Sequence, residues 1–204
     1  MATTTGVQSD RTNKATGRRA AQREDTRARL FDETVAEFKA KGFAGTEIAA
    51  ITDRVGVTRG AFYVHFAGKE EVLRELLVIE EHRIAAAARR VSEQDVPLVA
   101  VFDAVVDAVL RAERRLGRPL VRDLCAGQFM PGATQGHSTT DHPVGLLLVE
   151  VLAARVPEID PVDLAMTFLT GLFGLLAIDD GPPAARRRRL DLLTRITAQG
   201  ATTP

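Results

Sequence analysis

Cysteine is nearly absent from this sequence of 204 residues: Cys125 is the single one. No disulfide can form within the chain, and the usual zinc patterns built on several thiolates are excluded. Long hydrophobic runs are missing too. No stretch reaches the roughly 18 unbroken apolar residues of a membrane span, and the longest run, 172–178, is interrupted by Gly174. Met1 to Asp10 is polar and lacks the apolar core of a signal peptide. Net charge is absent as well, with 27 basic and 27 acidic side chains. Enzyme signatures fail in the same way. There is no phosphate-binding glycine loop and no G-x-S-x-G elbow, and four histidines and one cysteine compose no recognisable triad. These absences lead to the expectation of a soluble cytoplasmic protein with no membrane association, no enzymatic role, and no cofactor or metal.

What remains is an ordinary globular composition, 45% hydrophobic and 26% charged. The length suits one domain, or a small domain joined to a larger one. The zero net charge hides an asymmetry. Residues 1–70 hold twelve Lys/Arg against nine Asp/Glu, so the front of the chain is basic and the remainder acidic. A basic end on a neutral protein points to a polyanionic partner there.

Residues 1–22 contain almost no large apolar side chain but do contain Arg11, Lys14, Arg18 and Arg19. Such a segment cannot bury enough surface to offset its ordering entropy, so disorder is expected. It reads either as a solvated tail or as a basic arm for a DNA backbone or minor groove. From about Arg23 the apolar residues fall at helical spacing, through Leu30, Phe31, Val35 and Phe38, until Gly42 stops the helix. Thr46 is placed to cap a short second helix with Ile48, Ile51 and Val55 on its buried side. Gly56 ends it, and Thr58 caps a third short helix through Arg59, Ala61, Phe62 and Tyr63. Lys69-Glu70-Glu71 open a long fourth helix. Further helical periods follow around Val101 to Val109, Leu120 to Phe129, Val144 to Leu152, Met166 to Leu176 and Leu190 to Ile196, with one internal loop at 131–141. No alternating β-run occurs, so the chain is expected to be all-α with about nine helices.

The informative segment is Thr46 to Lys69, TEIAAITDRVGVTRGAFYVHFAGK. Two short helices joined at Val55-Gly56-Val57 have helix-turn-helix spacing. The second carries Thr58, Arg59 and Tyr63 outward, with small Gly60 and Ala61 between them. Small residues permit close approach to base edges, and an arginine near the helix start suits guanine O6 and N7. Phe62 and Phe66 fall on the inward side. The run GVTRGAFYVHFAGKEEVL resembles the DNA-binding signature of the TetR family of bacterial transcriptional regulators. The similarity covers about residues 23–78 and includes Phe31, Phe38, Gly42-Phe43 and Thr46. Thr52 and Val55 depart mildly from it, standing where the family more often has alanine.

Behind the disordered basic arm read over 1–22, the resemblance implies two parts: a helix-turn-helix DNA-binding domain over 23–70 and a helical effector-binding and dimerisation domain over 71–204. It implies phosphate contacts from Thr46, Thr58, Tyr63, His65 and Lys69, the last together with the helix N-terminus at Gly68–Lys69, and base contacts from Arg59 and Gly60. Tyr63 has core packing as its alternative, and His65 solvent exposure. The implied partners are an operator duplex, a second copy of the chain in a homodimer, and a small apolar or amphipathic effector. Phe102, Val106, Leu110, Cys125, Phe129, Met130, Met166, Leu169 and Phe173 are the candidate effector contacts, plain core packing being the alternative for each. Cys125 reads as a small buried hydrophobe rather than a redox sensor. His137 and His142 flank Asp141 in a polar loop with an incomplete ligand set, so they read as solvated. The helices at about 143–155 and 161–178 are apolar on more than one face, as a dimer interface requires. The run Arg186 to Arg189 reads as a solvated face or as partners for Asp179 and Asp180. The whole is expected to act as a repressor. A helical adaptor that no longer reads DNA and a small all-α enzyme are the rival classes.

Overall fold

The computed structural model describes the backbone of residues 6–128 and 142–201, with side chains from Gly17 onward. Among the described residues there are nine α-helices and no strands. In chain order they are α1 (Gly6–Lys41), α2 (Ile48–Val55), α3 (Arg59–His65), α4 (Lys69–Ser92), α5 (Leu98–Leu116), α6 (Arg118–Gly127), α7 (Pro143–Arg155), α8 (Pro161–Ile178) and α9 (Pro183–Gly200). The chain forms two compact units, Met1–Val72 and Leu73–Pro204, and the boundary falls inside α4.

The first unit is built on α1. Its C-terminal half buries Leu30, Val35 and Phe38 at helical spacing. Gly42 adopts a left-handed φ of 72°, a conformation that costs glycine little, and its N–H bonds back to Phe38 O at 2.9 Å. Arg54 of α2 reaches across to Glu33 and Glu37 of α1, while Lys41 pairs with Glu37 at 2.7 Å. Lys41 first, then Arg54, hold the Glu37 carboxyl below its ordinary range. The same geometry pins α2 against α1.

One expectation is reversed at the start of the chain. Disorder was expected over residues 1–22, yet from Gly6 onward this segment is the front of α1. The first turn of a helix is its costly step, and the packed half of α1 supplies it. Ala15, Ala20, Ala21, Gln22 and the arginines then extend the helix with favourable propensity. Residues 17–25 remain exposed, as a segment without large apolar side chains must be.

In the second unit, α8 packs against α6, α7 and α9, and α5 packs against α6 and α9. The core contains Phe102 and Phe168, whose ring centroids lie 4.5 Å apart, with Leu120, Leu147, Leu148, Leu152 and Leu172 fully buried. α8 opens as the sequence requires: the Asp160 carboxylate accepts from the N–H of Val162 and Asp163, and Pro161 occupies the first helical position. α8 and α9 approach closely at Gly171, where a Cβ would lie 2.9 Å from Leu193 Cδ1. Over its 18 residues α8 has a mean hydropathy of 1.8, so by length and composition it is also long and apolar enough to cross a membrane.

In the Arg186–Arg189 run three arginines have carboxylate partners, and Arg188 is exposed. Arg189 pairs with Asp179 at 2.5 Å, as expected from the sequence, and Arg187 pairs with Asp107 and Asp191. Arg186 is buried, and its Nη1 holds both Glu113 carboxylate oxygens at 2.6 and 2.5 Å.

Candidate nucleic-acid interface and interior cavity

α2 and α3 meet at a turn fixed by Gly56, whose φ of 78° is left-handed. The N–H groups of Gly56 and Val57 both bond to Thr52 O, at 2.9 and 3.0 Å, and close the end of α2. The Thr52 hydroxyl bonds back to Ile48 O and Ala49 O, so its departure from alanine is absorbed within the helix. Arg29 of α1 donates to Val55 O at 2.8 Å and satisfies one more carbonyl of the turn. α3 begins at Thr58, whose side-chain oxygen accepts from Ala61 N at 3.3 Å.

Two faces of α3 are sharply different. Phe62 and, just beyond the helix, Phe66 are fully buried with ring centroids 5.6 Å apart, and the Arg27 guanidinium lies 4.6 Å over Phe66. The other face presents Thr58, Arg59, Gly60, Tyr63 and Val64, all exposed, while His65 is half-buried at the helix end. Tyr63 therefore does not belong to the core, although its ring meets the edge of Phe62. Val64 is 64% exposed and was not singled out by the sequence. The signal was available: a β-branched apolar residue sits beside Tyr63, opposite the buried Phe62. At Gly60 an added Cβ would meet only the Thr58 hydroxyl, at 3.8 Å. Among the described residues nothing demands glycine at this position.

Thr46 and Lys69 sit elsewhere. Thr46 is buried, its hydroxyl donates to Gly42 O at 2.8 Å, and the N-cap of α2 is Glu47 without a side-chain bond. The expected cap at Thr46 is thus corrected, because α2 starts two residues later and the threonine closes the preceding loop instead. Lys69 Nζ donates to Phe43 O at 2.8 Å, Thr46 O at 3.0 Å and Ala44 O at 3.4 Å, and lies 4.7 Å over the Phe43 ring. The ammonium's three hydrogens are therefore engaged by the loop between α1 and α2. The first turn of α4 carries Glu70 and Glu71, and Glu71 accepts from Ala67 N at 2.6 Å. Two carboxylates complement the positive end of this helix from within the chain. An open cleft of about 510 Å³ runs between the start of α2, Arg59 and Tyr63 of α3, and Ala67 to Glu70.

In the second unit, a cavity of about 40 Å³ lies among α4, α5, α6, α7 and α8. Of the sequence-derived effector candidates, Cys125, Leu169 and Phe173 line it. Phe102 and Val106 are fully buried and do not line it, Leu110 is half-buried, and Met166 is 41% exposed on α8. Phe129 and Met130 lie outside the described residues, as do His137 and Asp141. The sequence reading missed Leu77, Glu80, Glu81 and Ile84 of α4, and on α5 it named Phe102, Val106 and Leu110 where Val105, Val109, Ala112 and Leu116 line the cavity. Their helical period is legible, but the period alone does not separate lining from core.

The two carboxylates of the lining are nearly fully buried and paired. Glu80 accepts from Arg83 and Arg115, both at 2.5 Å, and Glu81 meets His142 Nδ1 at 2.9 Å. His142 is thus tied to α4 rather than solvated. Burial pushes the Cys125 thiol up to about 12, against a smaller opposite pull from Arg186 and with a further push from Glu113 and Glu81. A second, wider cleft of about 210 Å³ shares Leu77 and Leu124 with the cavity and includes His142 and Gln128. No group of three or more metal-ligating side chains occurs among the described residues.

Residues 30–76 match the family model described as "Bacterial regulatory proteins, tetR family". Over 63 residues the chain is 43% identical to the HTH-type transcriptional regulator SrpR of Pseudomonas putida, a match covering 31% of this chain and 30% of that protein. The chain therefore aligns with less than a third of that relative's length. Among solved structures, Thermus thermophilus FadR, a TetR-family transcriptional repressor in complex with lauroyl-CoA, superposes with a TM-score of 0.68 at 18% identity, covering 87% of this chain and 96% of that one. RolR in complex with resorcinol superposes with a TM-score of 0.62 at 18% identity, covering 91% and 97%. The N-terminal region of the chain thus carries a helix-turn-helix domain that matches the TetR family of bacterial regulatory proteins, and the chain as a whole shares the fold of these TetR-family structures.

Proposed function

We propose that this chain is a DNA-binding transcriptional regulator, acting as a repressor that a small apolar or amphipathic effector releases from a near-palindromic operator. The carrying observation is the exposed face of α3. Arg59 and Gly60 stand in its first turn and Tyr63 and Val64 in its second, on a helix whose opposite face is fixed by Phe62. A glycine inside a helix costs about 1 kcal/mol relative to alanine. The surroundings of Gly60 are open, so the reason for that cost lies outside the protein, in close approach to a base edge. Arg59 reads a base, and Thr58, Tyr63 and His65 fix the register on phosphates. Thr46 and Lys69 act one step back, by holding the loop on which the start of α2 rests.

The functional division follows the fold: the helix-turn-helix in the first unit, effector binding and dimerisation in the second. The partner for dimerisation is a second copy laid on α8 and α9, where Met166, Ile178, Leu192 and Ile196 are 41%, 79%, 50% and 58% exposed. Covering them removes the apolar surface that makes α8 resemble a membrane span, and gives a soluble cytoplasmic dimer. Each subunit then offers one α3 to half-sites about one helical turn, roughly 34–36 Å, apart.

Effector binding is placed at the cavity around Cys125, Leu169 and Phe173. At about 40 Å³ it holds little more than a water, so any organic ligand must widen it. Lauroyl-CoA and resorcinol, carried by the two structural neighbours, are both ligands with an apolar part. Widening moves α4, which is continuous from Lys69 to Ser92 and crosses the boundary between the units. An effector that prefers the widened state by tenfold, about 1.4 kcal/mol, weakens operator binding by the same factor.

The testing experiment is selection of bound duplexes from fragmented genomic DNA near physiological salt, about 0.15 M. Enrichment of one imperfect palindrome supports the reading. Uniform, salt-labile binding, or none, overturns it in favour of the adaptor class.

A further inference from the structure

We propose that the front of α1 is a second DNA contact, sequence-independent, which lies along phosphates beyond the bases faced by α3. This rests on the DNA-binding reading above. Between residues 11 and 23 the chain carries five cations, Arg11, Lys14, Arg18, Arg19 and Arg23, and no carboxylate; acids resume at Glu24 and Asp25. The backbone of this stretch is helical, and Arg18, Arg19 and Arg23 are exposed. Residues 17–25 are exposed, so this part of the helix rests on its own propensity and on the packed half of α1, and mutual repulsion among its cations works against it. A polyanion laid along it removes that repulsion.

The polyanion is assigned by where the helix is tied down. Arg29 bonds to Val55 O in the turn before α3, and Arg27 covers Phe66 just after α3. The extension therefore departs from the helix-turn-helix itself and not from a remote surface. At 1.5 Å per residue, residues 11–23 span about 18 Å. One strand of duplex DNA presents a phosphate every ~3.4 Å along its axis, so this length faces about five of them.

The test is the full-length triple variant Arg18→Gln, Arg19→Gln, Arg23→Gln. Glutamine keeps helix propensity, and circular dichroism and the melting curve are expected to be unchanged. Binding is measured from about 0.05 to 0.2 M salt on a random-sequence duplex and on the selected operator, each with and without one extra helical turn, about 10 base pairs, per flank. Each lost phosphate contact lowers the salt slope by about 0.9, so three contacts make wild-type affinity fall on the order of 40-fold more than the variant's over this range. The expected advantage of wild type is equal on random and operator duplexes and shrinks when the flanks are removed. Equal slopes and affinities for the two proteins on flanked duplexes overturn this inference and leave the DNA-binding reading intact. Wild type that binds no duplex overturns both. Tighter binding of wild type to RNA or to vesicles of anionic lipid than to any duplex overturns the assignment to DNA.

Discussion

Lys69 separates two accounts of the same residue. The family resemblance makes it a phosphate contact, whereas the structure engages its ammonium with the carbonyls of Phe43, Thr46 and Ala44 and with the Phe43 ring. The perturbation is Lys69→Met, which keeps the aliphatic stem and removes the charge. Hydrogen bonds to a charged group contribute about 1.5–3 kcal/mol, and an exposed cation–π contact about 0.5–1. The third carbonyl, at 3.4 Å, is long and exposed, so it adds little. The loss is therefore about 2–3 kcal/mol for the first unit. For a cooperative unit of that size, each kcal/mol is worth about 4–8 °C of melting temperature. The assays are thermal unfolding, amide exchange at residues 42–47, and DNA affinity against salt. The tether account expects a lower melting temperature, faster exchange in that loop, and weaker binding with an unchanged salt slope. A variant that melts with wild type and loses about 0.9 from the slope refutes the tether and restores the phosphate contact.

Gly60→Ala is expected to raise the stability of the first unit by up to about 1 kcal/mol and to reduce operator affinity, because a helical Cβ is tolerated by the fold and not by a close base edge; a calorimetric melt and a binding isotherm check the pair, and unchanged affinity refutes the role. Glu113→Leu leaves Arg186, whose side chain is 5% exposed, without its carboxylate. Its Nε and Nη2 already lack protein partners, so a loss of about 3–5 kcal/mol is expected by urea denaturation, and a change under 1 contradicts the pairing. Cys125, with its thiol pushed up to about 12, is expected to resist iodoacetamide at pH 8 in the folded protein and to react after unfolding. The sign follows for stability as well: the folded thiol holds its proton above its ordinary value of 9.0, so this group costs nothing below pH 9 and destabilises the fold as pH rises from 9 toward 12. Rapid alkylation of the native protein at pH 8 opposes this placement.

The sequence by itself determined most of the helices and located the helix-turn-helix motif. Both rest on local physics. Apolar period marks Leu30, Val35 and Phe38 as one face, positive φ at Gly42 and Gly56 needs glycine, and Thr58 and Asp160 satisfy the first amides of the helices that follow them. The spacing from Gly56 to Phe66 carries the family signature because the turn, the exposed face of α3 and the inward aromatics are all set within a dozen residues. The tertiary structure alone decided what distant partners do to a side chain. Lys69 is a free cation in the sequence and a loop tether in the fold, since Phe43 and Thr46 come to it from more than twenty residues away. Arg186 sits in a run of four arginines and is the one that is buried, because Glu113 on α5 receives it. Leu169 and Phe102 are both apolar and both buried, yet the first lines a cavity and the second packs against Phe168. Period tells which side of a helix leaves water. Whether that side meets a neighbour, a void or a buried charge depends on how helices far apart in the chain pack, and no local pattern encodes that.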